Sequence, residues 1–173
     1  VRLVGSEMCI RDRISADRII IATGSRSRVI DSIPQNGKNI IGYREAMTLS
    51  EQPKELVIVG SGAIGIEFAY FYNALGTDVT IVEFQNGVAP NEDHDISKEL
   101  EKILKKKGIN ILTNSKVVSS KIVDNKVKLD IESDDKKFTI DCDVVLSAVG
   151  IKSNIENIGL EELGVKIEYD KVI

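Results

Sequence analysis

The sequence predicts an α/β fold with a parallel sheet and one antiparallel three-stranded meander. The apolar run Leu56–Val59 has the length of a strand, and it is followed by a glycine-rich turn and a segment of helical periodicity that ends near Leu75. A second apolar run, 78–83, completes a strand–helix–strand unit, which is expected to be right-handed. From 117 to 140 the period of the apolar residues changes from about 3.6 to about 2, which indicates antiparallel strands.

The residues before this unit are predicted to form one strand and a connector. The β-branched run 18–22 is expected to be a buried strand that enters a turn at Thr23-Gly24-Ser25. Residues 31–53 contain two of the three prolines and several other turn-forming residues. They are therefore predicted to be a connector, with one short helix at 45–49.

The second half of the chain is predicted to contain a helix and five strands. Apolar residues on one helical face, and a stop at Gly108, place the helix at 95–107. The three lysines at its end are most simply a solvated last turn that interacts favourably with the helix dipole. The strands are expected at 109–112, 117–123, 126–132, 137–140 and 143–150. The last of these is apolar at 144–146 and 148–149, which is typical of a central strand in a parallel sheet.

Composition excludes several classes of function. The net charge of −4 on 173 residues does not suggest nucleic acid or an anionic membrane as a partner. No apolar run approaches the roughly 20 residues that span a bilayer. Cys9 and Cys142 form neither a CxxC nor a zinc pattern, so we expect a reducing, cytoplasmic compartment.

Residues 1–13 are predicted to be non-native. Residues 3–13 can be back-translated into a sequence that resembles the transposon-end adapter of sequencing libraries, and they show no helical or strand period. We therefore interpret the segment as adapter translated in frame and expect it to form no packed part of the domain. An irregular native N-terminus is the alternative.

The turn Gly60-Ser61-Gly62-Ala63-Ile64-Gly65 has the GxGxxG spacing of a dinucleotide-binding loop. The first glycine allows a tight turn, the second lets the backbone approach a pyrophosphate, and the third lets the helix pack close to the strand. The helix N-terminus supplies unpaired N–H groups and a partial positive charge. Because the motif follows a predicted strand and opens a predicted helix, it indicates a Rossmann-like NAD-binding domain. A glycine turn with only a packing role is the alternative.

Glu83 indicates which dinucleotide the domain prefers. It ends the predicted strand 78–83, where a carboxylate accepts hydrogen bonds from the adenosine ribose hydroxyls. A carboxylate at this position repels the 2′-phosphate of NADP, and residues 84–87 include no Arg or Lys that would neutralise it. The sequence therefore favours NAD over NADP.

Several segments together resemble the FAD-dependent pyridine nucleotide–disulfide oxidoreductases. These segments are Ile19–Ser25, Val57–Ala69, Thr80–Glu83, Asp95–Ser97, Val145–Gly150, Asn154 and Ile158–Leu160. The resemblance covers about residues 14–173. It is closest to the flavoprotein component of 2-oxo-acid dehydrogenase complexes, and it implies FAD and NAD as cofactors and a meander in place of one crossover helix.

The resemblance also implies roles for individual residues. The six residues from Gly60 to Gly65 would bind the NAD pyrophosphate, Glu83 the adenosine ribose, and Glu67 would lie near the nicotinamide. The remaining cofactor-binding positions are two that line the NAD pocket, Val117 and Gly150, and three that touch the flavin nucleotide, Thr23, Gly24 and Ser25. By the same resemblance, 14–52 is the end of the FAD half with its connector, 53–150 the NAD-binding domain, and 151–173 a return segment towards the FAD domain.

The implied enzyme oxidises protein-bound dihydrolipoamide and reduces NAD, as a homodimer that meets the lipoyl domain of a 2-oxo-acid dehydrogenase complex. The family's redox cysteine pair is expected before Ile19, and its second FAD motif and His–Glu pair after Ile173, so we expect this chain by itself to be inactive, with no catalytic or metal-binding residue. His94 is expected in a solvated loop, and Cys142 as a small strand-end residue without redox function.

Two alternatives stay open at this stage. Ile151-Lys152-Ser153-Asn154 stands where the family commonly has Arg-x-Pro-Asn, which leaves room for another flavin disulfide reductase, such as a mercuric reductase-like enzyme. A non-catalytic NAD-binding module is the second alternative.

Overall fold

A five-stranded parallel sheet forms the centre of the computed structural model, which describes residues 13–134 and 136–173. The prediction that residues 1–13 lie outside the packed domain, and Cys9 with it, falls almost wholly outside the described residues. The strands, in chain order, are β1 (Ser25–Ser27), β2 (Ile40–Ile41), β3 (Glu55–Val59), β4 (Asp78–Val82), β5 (Asn110–Leu112), β6 (Ser115–Val123), β7 (Lys126–Ser133), β8 (Lys136–Cys142), β9 (Val144–Ser147), β10 (Ile151–Ser153), β11 (Ile167–Glu168) and β12 (Lys171–Val172). The parallel sheet has the order β2-β9-β3-β4-β5, so the strand before the glycine-rich turn lies at its middle, as predicted.

Within residues 13–134 and 136–173, three helices accompany the sheet: α1 (Tyr43–Ala46), α2 (Ala63–Ala74) and α3 (His94–Lys106). One hydrophobic cluster joins one side of the sheet to the helices; its fully buried strand residues include Ile58, Ile81 and Leu146, and its helical members include Ala69 and Leu104. Alternate residues of a strand face opposite sides, so these apolar strands have a second buried side as well. No helix of the described part of the chain is long and apolar enough to cross a membrane.

The meander β6-β7-β8 covers that second side. Val127, Leu129 and Ile131 of β7 are buried and belong to the same cluster as Val57 and Val145 of the parallel sheet. The lysines that alternate with them are exposed, so the predicted period of 2 and its one buried face are confirmed. The sheet is therefore packed on both faces, by helices on one and by the meander on the other.

A two-stranded ribbon joins the chain before the domain to the chain after it. β1 pairs with β10 in antiparallel register, with Ser25 opposite Ser153. Beside this pairing, Arg26 donates hydrogen bonds to Asn154 Oδ1 (2.6 Å) and to the carboxylate of Glu156. The hydrogen bond from Arg26, reinforced by Lys152, lowers the pKa of Glu156 to about 2.

The structure corrects the prediction of a strand at 18–22. These residues have no strand conformation, and Ile19 and Ile20 are 77% and 91% exposed. The physical reason is that a β-branched run becomes a strand only beside another strand, and none of the described residues supplies one. The predicted buried strand is therefore an exposed apolar segment here.

The predicted connector 31–53 also differs from the structure. Ile40 and Ile41 form β2 and pair with β9, and Ile33 and Ala46 are buried in the domain. The short helix is two or more residues earlier than expected, at Tyr43–Ala46. The predicted boundary at residue 53 thus cuts through a packed unit, because a strand of two residues has no periodicity by which it could be recognised.

We predict that Gly65→Ala destabilises the domain. A Cβ at Gly65 would overlap the carbonyl oxygen of Gly60, which is backbone and cannot swing aside. Overpacking of this kind costs about 1–3 kcal/mol of unfolding free energy. Urea unfolding measures it, with Gly87→Ala as the matched control, because a Cβ at Gly87 meets nothing within 4 Å. Equal midpoints for the two variants would contradict the packing account.

Candidate cofactor site

The glycine-rich turn brings the start of α2 to the carboxyl end of β3. Gly60 has φ of +102°, a left-handed conformation that favours glycine, and a Cβ there would lie 2.5 Å from the carbonyl oxygen of Ala148. Gly62 caps α2 with φ of −68°, and a Cβ there would meet nothing within 4 Å. Gly60 and Gly65 are therefore required by the packing of the turn, whereas Gly62 leaves an open space in front of the first N–H groups of the helix.

Glu83 is tied to this turn by its carboxylate. Its Oε2 accepts hydrogen bonds from the backbone N–H of Ser61 (2.7 Å) and from Ser61 Oγ (2.6 Å), and its Oε1 accepts one from the N–H of Gln85 (2.8 Å). Glu83 is 6% exposed and Ser61 is fully buried. A buried carboxylate needs such partners, so this residue stabilises the loop geometry as well as presenting an acceptor.

The same serine anchors the loop that follows β4. The carbonyl oxygen of Ser61 accepts a hydrogen bond from the N–H of Ala89 (2.9 Å), and Ser97 of α3 donates to the carbonyl oxygen of Ala89 (3.1 Å). Ala89 has φ of +46°, which is unfavourable for a residue with a Cβ and is held here by these contacts. Ser61 was predicted to bind a pyrophosphate, but its N–H donates to Glu83 and its carbonyl oxygen accepts from Ala89, so both backbone groups are bound within the protein.

A cavity of about 370 Å³ lies at the carboxyl edge of the sheet, between the turn and the start of the meander. Its lining includes Gly60 and Val117, two of the predicted cofactor-binding positions. Phe84, 71% exposed, and Lys116 lie on its rim. Lys116 was not among the predicted site residues. The preference for NAD was inferred from the residues directly after Glu83, whereas this lysine lies on β6 and lines the same cavity. Ile30 and Ser32 also line it and belong to no motif.

The remaining predicted site residues lie apart from this cavity. Ala63 and Ile64 form the first turn of α2, and Glu67 is exposed on its second turn. Gly150, with φ of +106°, directly precedes β10 and accepts a hydrogen bond from the N–H of Arg28. Ser25 begins the ribbon strand β1, and Thr23 and Gly24 directly precede it; Asn154 donates to the carbonyl oxygens of these two. The structure thus brings together Gly60–Gly65, Glu83 and Val117, and places the 23–25 turn elsewhere.

The two residues that the sequence analysis set aside are also located. His94 begins α3 and is exposed, so it is the first helical residue and not part of the expected loop. Cys142 ends β8 and is 1% exposed, and burial raises its pKa to about 12. Among the described residues, no group of three or more His, Cys, Asp or Glu side chains is placed to hold a metal ion.

A parallel sheet with a glycine turn at its carboxyl edge, an open helix N-terminus and a carboxylate after the next strand is the architecture of a Rossmann-like α/β domain. The chain belongs to the family of pyridine nucleotide-disulphide oxidoreductases, which it matches over residues 5–173. The matched range begins inside the segment that was predicted to be non-native.

The chain is similar to curated enzymes over most of its own length. It is 44% identical to a dihydrolipoyl dehydrogenase of Rhizobium etli over 160 residues, which is 92% of this chain and 33% of that protein. It is 36% identical to a dihydrolipoyl dehydrogenase of Bacillus subtilis, over 91% of this chain and 34% of the relative. The chain therefore spans about a third of the length of these relatives.

Solved structures give the same likeness. LpdA from Mycobacterium tuberculosis superposes with a TM-score of 0.75 at 29% identity, over 84% of this chain and 31% of that one. The HOCl-induced flavoprotein disulfide reductase RclA from Escherichia coli has a TM-score of 0.70 at 28% identity, over 86% of this chain and 34% of that one. The predicted α/β fold with its parallel sheet and antiparallel strands is thereby confirmed.

We predict that Cys142 resists alkylation in the folded chain. Its burial and raised pKa leave little thiolate, which is the reactive form. Peptide mass spectrometry after iodoacetamide at pH 8 should show slow modification of the Cys142 peptide, and rapid modification in urea. Equal rates in the folded and unfolded chain would contradict a structural role for this thiol.

Proposed function

We propose that this chain is the NAD-binding portion of a flavin-dependent dihydrolipoyl dehydrogenase. The observation that carries the proposal is the joined pair of glycine turn and carboxylate: Glu83 is hydrogen-bonded to Ser61 of the turn, and the space beside Gly62 is open. These residues fit a dinucleotide. The turn leaves room for a pyrophosphate in front of the first N–H groups of α2, which have no partner within the helix.

Each part of the dinucleotide has a proposed partner. The pyrophosphate lies against Gly62, Ala63 and Ile64, whose N–H groups begin α2. The adenosine ribose meets Glu83, and the adenine enters the cavity lined by Phe84 and Val117. The apolar and aromatic lining of this cavity suits the adenine base, and a cation on its rim suits a phosphate group of the dinucleotide.

Lys116, on the rim of this cavity, supplies the cation for the dinucleotide phosphates. We propose that Glu67, which is exposed on α2, lies near the nicotinamide and that Gly150 lines the NAD pocket. The carboxylate of Glu83 still favours NAD over NADP, because the 2′-phosphate would approach a buried anion that is already bound on both oxygens.

For FAD the described residues hold only the edge of a site. Thr23 and Gly24 are exposed, and their carbonyl oxygens are bound to Asn154. We propose that the turn touches the flavin nucleotide of the whole enzyme. The chemistry that FAD would supply when bound is two-electron transfer, with a dithiol that becomes a disulfide as the reductant, NAD as the hydride acceptor and one proton released.

The activity of the whole enzyme is proposed from its relatives. Two of the relatives named above are dihydrolipoyl dehydrogenases, so we propose oxidation of protein-bound dihydrolipoamide with reduction of NAD, a homodimer, the lipoyl domain of a 2-oxo-acid dehydrogenase complex as the partner, and a cytoplasmic location. We expect the 173-residue chain by itself to bind NAD and to lack dehydrogenase activity.

One observation favours a second candidate, another flavin disulfide reductase. The likeness to RclA is almost as strong as the likeness to LpdA. Assaying the whole enzyme with dihydrolipoamide separates the two candidates, because only the first predicts this dithiol as the substrate. Both candidates share the NAD site described here.

We predict that Glu83→Arg reverses the choice of dinucleotide. Loss of a charge-assisted hydrogen bond lowers the affinity for NADH by about ten- to a hundredfold, and the guanidinium attracts the 2′-phosphate of NADPH. The measurement is a titration of each nucleotide followed by nicotinamide fluorescence, which is free of tryptophan signal because the chain has no Trp.

Glu83→Gln is the companion variant, since Arg also removes the acceptor of two backbone N–H groups, those of Ser61 and Gln85. The amide keeps the shape and loses the charge, so we expect weaker NADH binding without a gain for NADPH. An NADH to NADPH affinity ratio that stays at the wild-type value in Glu83→Arg would show that this residue does not face the ribose.

We predict that Gly62→Ala folds normally and loses NADH. Its φ of −68° suits alanine and a Cβ meets nothing, so the unfolding free energy should change by less than about 0.5 kcal/mol. The methyl group would occupy the position of the pyrophosphate, and the affinity should fall by at least about tenfold. Unchanged NADH binding by a folded variant would refute the proposed pyrophosphate site.

A further inference from the structure

The hydrogen bonds of Glu83 leave it with little free accepting capacity. A carboxylate has about four acceptor positions, two on each oxygen. Ser61 fills both positions of Oε2, with its N–H and its hydroxyl, and the N–H of Gln85 fills one of Oε1. One position, on Oε1, is left for a ligand, although the ribose offers two hydroxyl groups.

We propose that the Ser61 hydroxyl is a positioning and specificity-determining group that competes with the ribose for Glu83, so that the carboxylate makes a single hydrogen bond to the cofactor. This inference rests on the proposed NAD site. Ser61 does not touch the cofactor; it acts through Glu83, because it is fully buried and all its polar groups are engaged within the protein.

The backbone contacts of Ser61 separate this role from a role in folding. Its N–H binds Glu83 and its carbonyl oxygen binds the N–H of Ala89, and neither contact needs the side chain. Removing only the hydroxyl therefore keeps the turn, the anchored loop and one donor on Oε2. It removes one donor from Oε2 and so leaves more negative charge on the carboxylate for the ribose hydrogen bond at Oε1.

The expected result of Ser61→Ala is a gain of function. NADH should bind about five- to tenfold more tightly, because the ribose then donates to a carboxylate whose charge is shared with one donor fewer. NADPH should not gain, because its 2′ position carries a phosphate that the carboxylate repels. A tighter complex is not a consequence of misfolding, and Ser61→Gly, which also removes the hydroxyl, should shift NADH binding in the same direction.

A double-mutant cycle with Glu83→Gln tests the mechanism. Because the hydroxyl acts through the carboxylate, Ser61→Ala should change NADH affinity by less than about twofold in the Glu83→Gln background. Thr77→Val is the matched control: it removes another buried hydroxyl, one that donates to the carbonyl oxygen of Pro53 at the edge of the sheet opposite Glu83. It should leave NADH affinity unchanged.

The titrations are made on the 173-residue chain with NADH and NADPH, using nicotinamide fluorescence. If the wild-type chain binds no NADH at millimolar concentration, the proposed function itself fails. If it binds NADH and Ser61→Ala binds equally or more weakly, or if the gain persists in the Glu83→Gln background, the competition by Ser61 is overturned and the NAD site stands.

Discussion

The close approach of α2 to the centre of the sheet organises this domain. It is a contact between backbones: a Cβ at Gly65 would overlap Gly60, and a Cβ at Gly60 would press on Ala148, which directly follows the neighbouring strand β9. Side chains at these two positions would hold the helix away from the sheet. With glycine at both, the helix begins directly at the carboxyl edge of β3, and its first N–H groups open onto the same edge as Glu83 and the cavity.

From this contact follows a short chain of hydrogen bonds that unites fold and site. Ser61 donates to Glu83, and the N–H of Ala89 donates to the carbonyl oxygen of Ser61. Ser97 of α3 donates to the carbonyl oxygen of Ala89. The group that is proposed to recognise the ribose is thus also a buried structural anion. Full engagement in the fold and full engagement with the ligand compete for the same lone pairs, and the site reflects a compromise between the two.

The sequence predicted correctly those elements whose formation depends on neighbouring residues in the chain. The strand, turn, helix and strand from Glu55 to Val82, and the alternation along β7, follow from periodicity and from glycine positions, and the structure confirms them. The ribbon of β1 and β10 was not predictable, since it pairs residues more than a hundred positions apart. The prediction of a strand at 18–22 was wrong, because β-branched residues form a strand only when another strand lies beside them. The proposed role of Ser61 could not be predicted either, because the GxGxxG motif accepts any residue at position 61.

The central claim is that the turn and Glu83 together form one dinucleotide site. The most direct test is a ¹H–¹⁵N NMR titration of the chain with NADH. The account predicts the largest shifts at the amides of Gly62, Ala63 and Ile64, with smaller shifts at Gln85 and Val117 and none at the distant hairpin of Asp124 and Asn125. Shifts centred on another surface, or equal shifts throughout the chain, would contradict it.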